Sequence, residues 1–118
     1  MTVEASLRRL YDAFNKRDIE TVLAELHPEV NWPNAWEGGR LHGVDAVRGY
    51  WTRQWAAIDP TVTPLTFRQE PDGGVAVQVR AIVRDKTGTV VADHMVDHVY
   101  WFENGLISRM DVRESAER

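Results

Sequence analysis

Three charged residues near the C-terminal end have the spacing for acid–base chemistry. Asp97 interrupts the apolar segment Met95-Val96-Asp97-His98-Val99. A carboxyl in apolar surroundings has a poorly solvated charged form, so its pKa rises. Such a group can serve as a general acid or base; held by an arginine or a backbone N–H, it is a structural carboxylate instead. Arg109 and Asp111 are two apart on an extended segment and therefore face one side. Whether they meet Asp97 depends on the hairpin at Asn104-Gly105. A three-residue loop sets Asp97 opposite Asp111 and Val99 opposite Arg109, with cross-strand Cβ atoms roughly 5 Å apart. Two carboxylates at that range split their titrations and supply one acid and one base. A two-residue loop sends the two sets to opposite faces. Asp97, Asp111 and Arg109 are thus the candidate catalytic set, with a surface ion pair as the competing role for Arg109.

His94 and His98 suggest a metal site only if they lie on a helix. On a strand their spacing is roughly 13 Å, too far for one zinc ion, so no metal is expected. Their face also carries Val96, Tyr100 and Phe102, opposite to Asp97. It is assigned to the outside of the sheet. Five tryptophans are many for this length; each buries much area but needs a partner for its N–H. Core packing suits Trp51 best, whereas Trp32 and Trp36 bracket a loop and suit a flat, apolar ligand. The candidate ligand-binding residues are Tyr11, Phe14, Trp32, Trp36, Trp51, Trp55, Met95, Val99 and Trp101.

The elements that position these residues follow from periodicity. Leu7, Leu10, Tyr11 and Phe14 form one helical stripe. Asp18 reads as the N-cap of a shorter helix carrying Ile19, Val22, Leu23 and Leu26, ended by His27-Pro28. Val30-Asn31-Trp32 is a short extended piece, followed by a loop over 33–43. A third helix covers about Val44 to Ile58, closed by Asp59-Pro60. The period then becomes two. Strands are expected at 62–70, 75–84, 89–102 and 106–113, with turns at Asp72-Gly73-Gly74, Asp85–Gly88 and Asn104-Gly105. The tail from Glu114 should fray. Three helices before a four-strand antiparallel meander make an α+β fold, and such long strands curl around the helices and leave a concave interior.

Composition excludes several classes. The chain has 118 residues, enough for a single domain over 1–118. It has no cysteine, so there are no disulfides or thiolate nucleophiles. Each half carries seven basic and nine acidic residues, within a net charge of −4. There is no basic face for nucleic acid. No apolar run approaches the roughly 18 residues of a membrane span. The acidic start Met1-Thr2-Val3-Glu4 does not read as a signal peptide, and a cytoplasmic protein is expected.

Four segments in this order resemble the nuclear transport factor 2-like superfamily, with its SnoaL-like polyketide cyclases and ketosteroid isomerases. They are Tyr11-Asp12-Ala13-Phe14-Asn15-Lys16-Arg17-Asp18-Ile19, His27-Pro28-Glu29-Val30-Asn31-Trp32, His42 to Trp51, and Asp97 to Ile107. The resemblance covers residues 3 to about 113. It implies a cone-shaped curled antiparallel sheet packed on three N-terminal helices, a cystatin-like half-barrel with a deep pocket. It also implies a homodimer through the outer sheet face, made here of His94, Val96, His98, Tyr100 and Phe102. By similarity, Asp97 falls where ketosteroid isomerases carry an aspartic acid that donates to an oxyanion. The isomerase base, however, aligns with Trp32 and its oxyanion tyrosine with Leu10, which disfavours steroid isomerisation. The set Asp97, Arg109 and Asp111 loosely resembles that of limonene-epoxide-hydrolase-like members. The expectation is a cofactor-independent acid–base enzyme on a small apolar substrate. A non-catalytic ligand binder and a dimeric scaffold are the alternatives.

Overall fold

The structure, a computed structural model, describes residues 2–115. Helix α1, Val3–Asn15, starts where the Thr2 hydroxyl accepts a hydrogen bond from the Ala5 N–H, satisfying one of the first-turn donors that no carbonyl can reach. Arg17, in the left-handed region at φ 63°, reverses the chain. The Asp18 carboxylate then caps α2, Ile19–Ala24, by accepting from the Thr21 N–H. Helix α3 is Val44–Ala57.

The strands are β1 Leu26–Pro33, β2 Arg40–His42, β3 Asp59–Gln69, β4 Val75–Arg84, β5 Val90–Glu103 and β6 Leu106–Glu114. They form one curled sheet in the order β2-β1-β6-β5-β4-β3. The expected meander β3 to β6 is present, but two more strands extend it. Leu26, expected on α2, opens β1, and β1 runs parallel to β6. The sheet is therefore mixed rather than wholly antiparallel. The Ile107 N–H donates to the Glu25 carbonyl just before that pairing, which draws residues 26–33 into the ladder. Of the tail expected to fray, 116–118 lie outside the described residues; Glu114 ends β6, and the Ser115 hydroxyl accepts from Gln78.

The helices cover one face of the sheet. Leu7, Leu10 and Tyr11 of α1 pack with Val75, Val77, Val79, Tyr100 and Met110 of the sheet. Asn15 clips α1 to the sheet: its amide donates to the Val62 carbonyl at 2.8 Å and accepts from the Val62 N–H at 2.9 Å.

The hairpin β5–β6 follows neither expected register. Asn104 and Gly105 both have positive φ, 53° and 81°, as a two-residue type I′ turn requires. The ladder then slips, so that Phe102 faces Ile107 whereas Trp101 faces Arg109. Ser108 is the extra residue, a β-bulge, and its hydroxyl donates to the Trp101 carbonyl at 3.1 Å. The bulge restores the parity that a two-residue turn alone would have reversed. Asp97 lies opposite Arg113 and Val99 opposite Asp111, so the two aspartates share a face without being partners.

Candidate functional site

A cavity of roughly 440 Å³ opens between the helices and the concave face of the sheet, within the size range of small-molecule sites. Its β5 wall includes His94, Val96, His98 and Tyr100, four of the five residues assigned above to the outer face; the fifth, Phe102, packs against the core on the same side. The face assignment is therefore reversed. The cause is the β4–β5 pairing, which sets Val77 opposite His98 and Val79 opposite Val96. The apolar face of β4 thus shares its side with the even-numbered residues of β5.

Asp97, Arg109 and Asp111 all lie on the other, outer face. Asp97 is 3% exposed and binds Arg68 at 2.8 Å, with its Oδ1 unpartnered among the described residues. Asp111 binds Arg40 and Arg109. Asp97 and Asp111 have separate cationic partners and no contact with the cavity, so the expected acid–base pair does not form. Among the candidate ligand-binding residues, Tyr11, Phe14, Trp32, Trp36 and Trp51 line the cavity. Met95, Val99 and Trp101 do not, because the odd positions from Met95 to Trp101 face outward. Trp55 stands behind the wall, its ring 6.0 Å from that of Trp51 and nearly parallel to it, with Arg17 over its face. The site residues missed from sequence are chiefly His98, Tyr100, Tyr50, Gln54, Met110 and Val112. Carrying the apolar face of β4 across the Asp85–Gly88 turn would have found those of β5.

Among the described residues, the cavity lining contains no Asp, Glu, Lys or Arg. Its polar groups include a Gln54–Tyr50 pair, with the Gln54 amide donating to the Tyr50 hydroxyl at 3.2 Å, and a longer chain on α1 and β5. The Tyr100 hydroxyl donates to the Tyr11 hydroxyl at 2.8 Å, and Tyr11 Oη lies 2.9 Å from His98 Nδ1. With Tyr11 already accepting from Tyr100, its own proton goes to Nδ1, and the imidazole proton sits on Nε2. His98 Nε2 has no protein partner among the described residues and is not sealed off. The Tyr11 and His98 rings stack at 5.9 Å and 18°, while Tyr100 meets Tyr11 edge-on. Burial holds both phenols well above their ordinary pKa, with the neighbouring Tyr100 adding to the effect on Tyr11. Burial also lowers His98 to about 4, against the opposing pull of the Asp97 charge. At neutral pH the cluster is an uncharged chain of phenol, phenol and imidazole that ends in an N–H donor.

The rim is built by the loop 34–39. Glu37 is held by Arg53 of α3 at 2.9 and 2.8 Å and by Asn34, which together lower its carboxyl to about 2. The loop brings Trp36, 41% exposed, to the cavity mouth.

Residues 7–110 match the SnoaL-like domain. The chain belongs to that family. No curated protein matches it in sequence. Among solved structures, this SnoaL-like domain is similar to a nuclear transport factor 2-like protein of unknown function from Burkholderia pseudomallei. That match has 27% identity and a TM-score of 0.81, over 95% of this chain and 89% of that one. TerC co-crystallised with polyporic acid shares 23% identity over 94% and 89% of the two chains, with a TM-score of 0.80. A Mycobacterium tuberculosis protein in complex with estradiol-17β-hemisuccinate shares 18% over 96% and 93%, also at 0.80. The last two likenesses concern the fold.

Proposed function

We propose that this SnoaL-like domain binds a small, largely apolar ring compound in the cavity, with an uncharged oxygen of the ligand accepting a hydrogen bond from His98 Nε2. The observation that carries this reading is the lining: apolar and aromatic walls, no Asp, Glu, Lys or Arg among the described residues, and the hydrogen-bonded chain Tyr100–Tyr11–His98 at one end of it. A charged group placed there would lose hydration without a counter-ion, so a carbonyl or hydroxyl is the matching chemistry. The protein of this fold solved with a steroid ester supports the ligand class. The test is titration with neutral steroids and naphthoquinones, read by tryptophan fluorescence and thermal shift. Saturable binding that weakens at least tenfold in His98→Asn supports the reading. Binding unaffected by that substitution, or no binding across the panel, overturns it.

A second reading, catalysis, is favoured by the state of His98. A neutral imidazole with Nε2–H aimed at a carbonyl oxygen can polarise that carbonyl. The carboxylate base that a ketosteroid isomerase mechanism uses has no counterpart in the lining, which leaves His98 as the residue of this reading. Turnover of ketone or polyketide substrates that falls by about two orders of magnitude in His98→Asn is the expected signature.

Association, if it uses the outer sheet face, involves Met95, Trp101 and the ion pairs around Asp97. Of the residues expected in that interface, His94, Val96, His98 and Tyr100 line the cavity and Phe102 packs against the core. Sedimentation of the wild type beside Met95→Asp tests this surface.

A further inference from the structure

Strand β1 stops at Pro33, and its last partner on β6 is Arg109, whereas β6 continues to Glu114. Over the last turns of β6, therefore, the loop 34–39 replaces a strand as its neighbour, and no ladder seals that side. A second cleft of roughly 340 Å³ occupies this gap. Pro33, Ala35 and Val112 line both the cavity and the cleft, so the two spaces adjoin there.

The two spaces are opposite in character. Among the described residues, the cavity lining has no Asp, Glu, Lys or Arg, whereas the cleft holds Arg40, Arg109 and Arg113 against the carboxylate of Asp111. On a chain of net charge −4, this is a local surplus of cation. The arginines also differ in how far they are committed. Arg40 is fully engaged, donating to Asn31 Oδ1, to the Asn31 and Met110 carbonyls, and pairing with Asp111. It is a brace that holds β2 against β6. Arg109 gives its Nε to Asp111 and has no further partner for its terminal nitrogens among the described residues. Arg113 gives one nitrogen to Glu70 and lies over the Trp101 ring. Both side chains are about half exposed, at 46% and 47%. Guanidinium groups with spare donors in a fixed fork suit carboxylate, sulfate or phosphate oxygens.

We propose that the ligand of the cavity carries an anionic group on a short arm, which leaves between the loop 34–39 and β6 and rests on Arg109 and Arg113. This inference rests on the cavity reading above and adds a substrate class to it: an apolar ring system bearing an acidic side arm, not a fully neutral compound. The ring sits where charge is excluded, and the charge sits where the cations are.

The experiment compares 4-(2-naphthyloxy)butanoate with its methyl ester and with 2-naphthol, by calorimetry and tryptophan fluorescence at low and high salt. The acid is expected to bind at least tenfold more tightly than the ester at 50 mM NaCl. That advantage should shrink severalfold at 300 mM, because exposed charge pairs are screened. Arg109→Ala and Arg113→Ala should each reduce the advantage, and together abolish it, with the Kd of the ester unchanged. Arg113→Ala removes a half-exposed side chain, so it remains interpretable if Arg109→Ala disturbs Asp111 and fails to fold. Equal binding of acid and ester, or an advantage that survives in Arg113→Ala and the double variant, overturns the proposal and leaves the cavity reading intact. If ester and naphthol both fail to bind, the cavity reading falls and this inference with it.

Discussion

His98→Asn is expected to flatten the response of stability to mild acid. Asparagine keeps an acceptor near Nδ1 for the Tyr11 hydroxyl and cannot take up a proton in this range. In the wild type, burial lowers the imidazole from 6.5 to about 4. Between those values the unfolded chain binds a proton that the folded chain refuses, so acid favours unfolding. The stabilisation is complete above pH 6.5 and is lost as the pH falls toward 4. Carboxylates held below their ordinary range by partners, such as Glu37, Asp59 and Asp93, stay charged until lower pH. Over the interval from pH 6.5 to 4.5, the difference between the wild type and His98→Asn therefore reports this imidazole. At about 1.4 kcal/mol per pH unit, the two units amount to about 2–3 kcal/mol. Urea unfolding followed by tryptophan fluorescence at both pH values reads it directly. The wild type should lose about 2–3 kcal/mol more than His98→Asn across the interval. Parallel losses in the two proteins would refute the buried neutral imidazole.

Asp97→Asn is expected to lower Tm while leaving ligand affinity unchanged, because the carboxylate serves Arg68 on the outer face; with Arg68 42% exposed, the cost is about 1 kcal/mol. Asn15→Ala removes both hydrogen bonds between α1 and Val62 and should cost about 2 kcal/mol in urea unfolding. Glu37→Ala frees the loop 34–39 from Arg53 and should change the rate of ligand entry in stopped-flow fluorescence more than the melting temperature. Gly105→Val forces a β-branched residue to φ 81° and should cost at least about 1 kcal/mol.

Helical periodicity and turn chemistry carried most of the architecture. The stripe Leu7, Leu10, Tyr11 and Phe14, the Asp18 cap and the Asn104-Gly105 turn all occur as expected. Strand β1 was less legible, because its pairing is parallel to a strand some eighty residues away and has no local signal. The site was legible in part: Tyr11, Phe14, Trp32, Trp36 and Trp51 line the cavity, since large aromatics facing the core have few other places to go. The polar half was misplaced because strand parity is binary. One wrong choice of face for β5 exchanged Asp97 for His98, and with them a charged site for a neutral one. The cross-strand link from β4 held the correction. The bulge at Ser108 gave no comparable sign, since it depends on how one hairpin relieves its twist.

That bulge has a consequence for how such a cavity can change its chemistry. A ladder continuing unbroken from the two-residue turn would present Arg109, Asp111 and Arg113 inward and turn Met110 and Val112 out. The residues that would make the interior acidic and basic are already encoded one pleat away. A shift in where the ladder absorbs its extra residue would exchange a greasy container for a titratable one with no substitution among the lining side chains. Comparing relatives residue by residue along aligned columns would overlook such a difference, because its origin lies in the pairing and not in the letters.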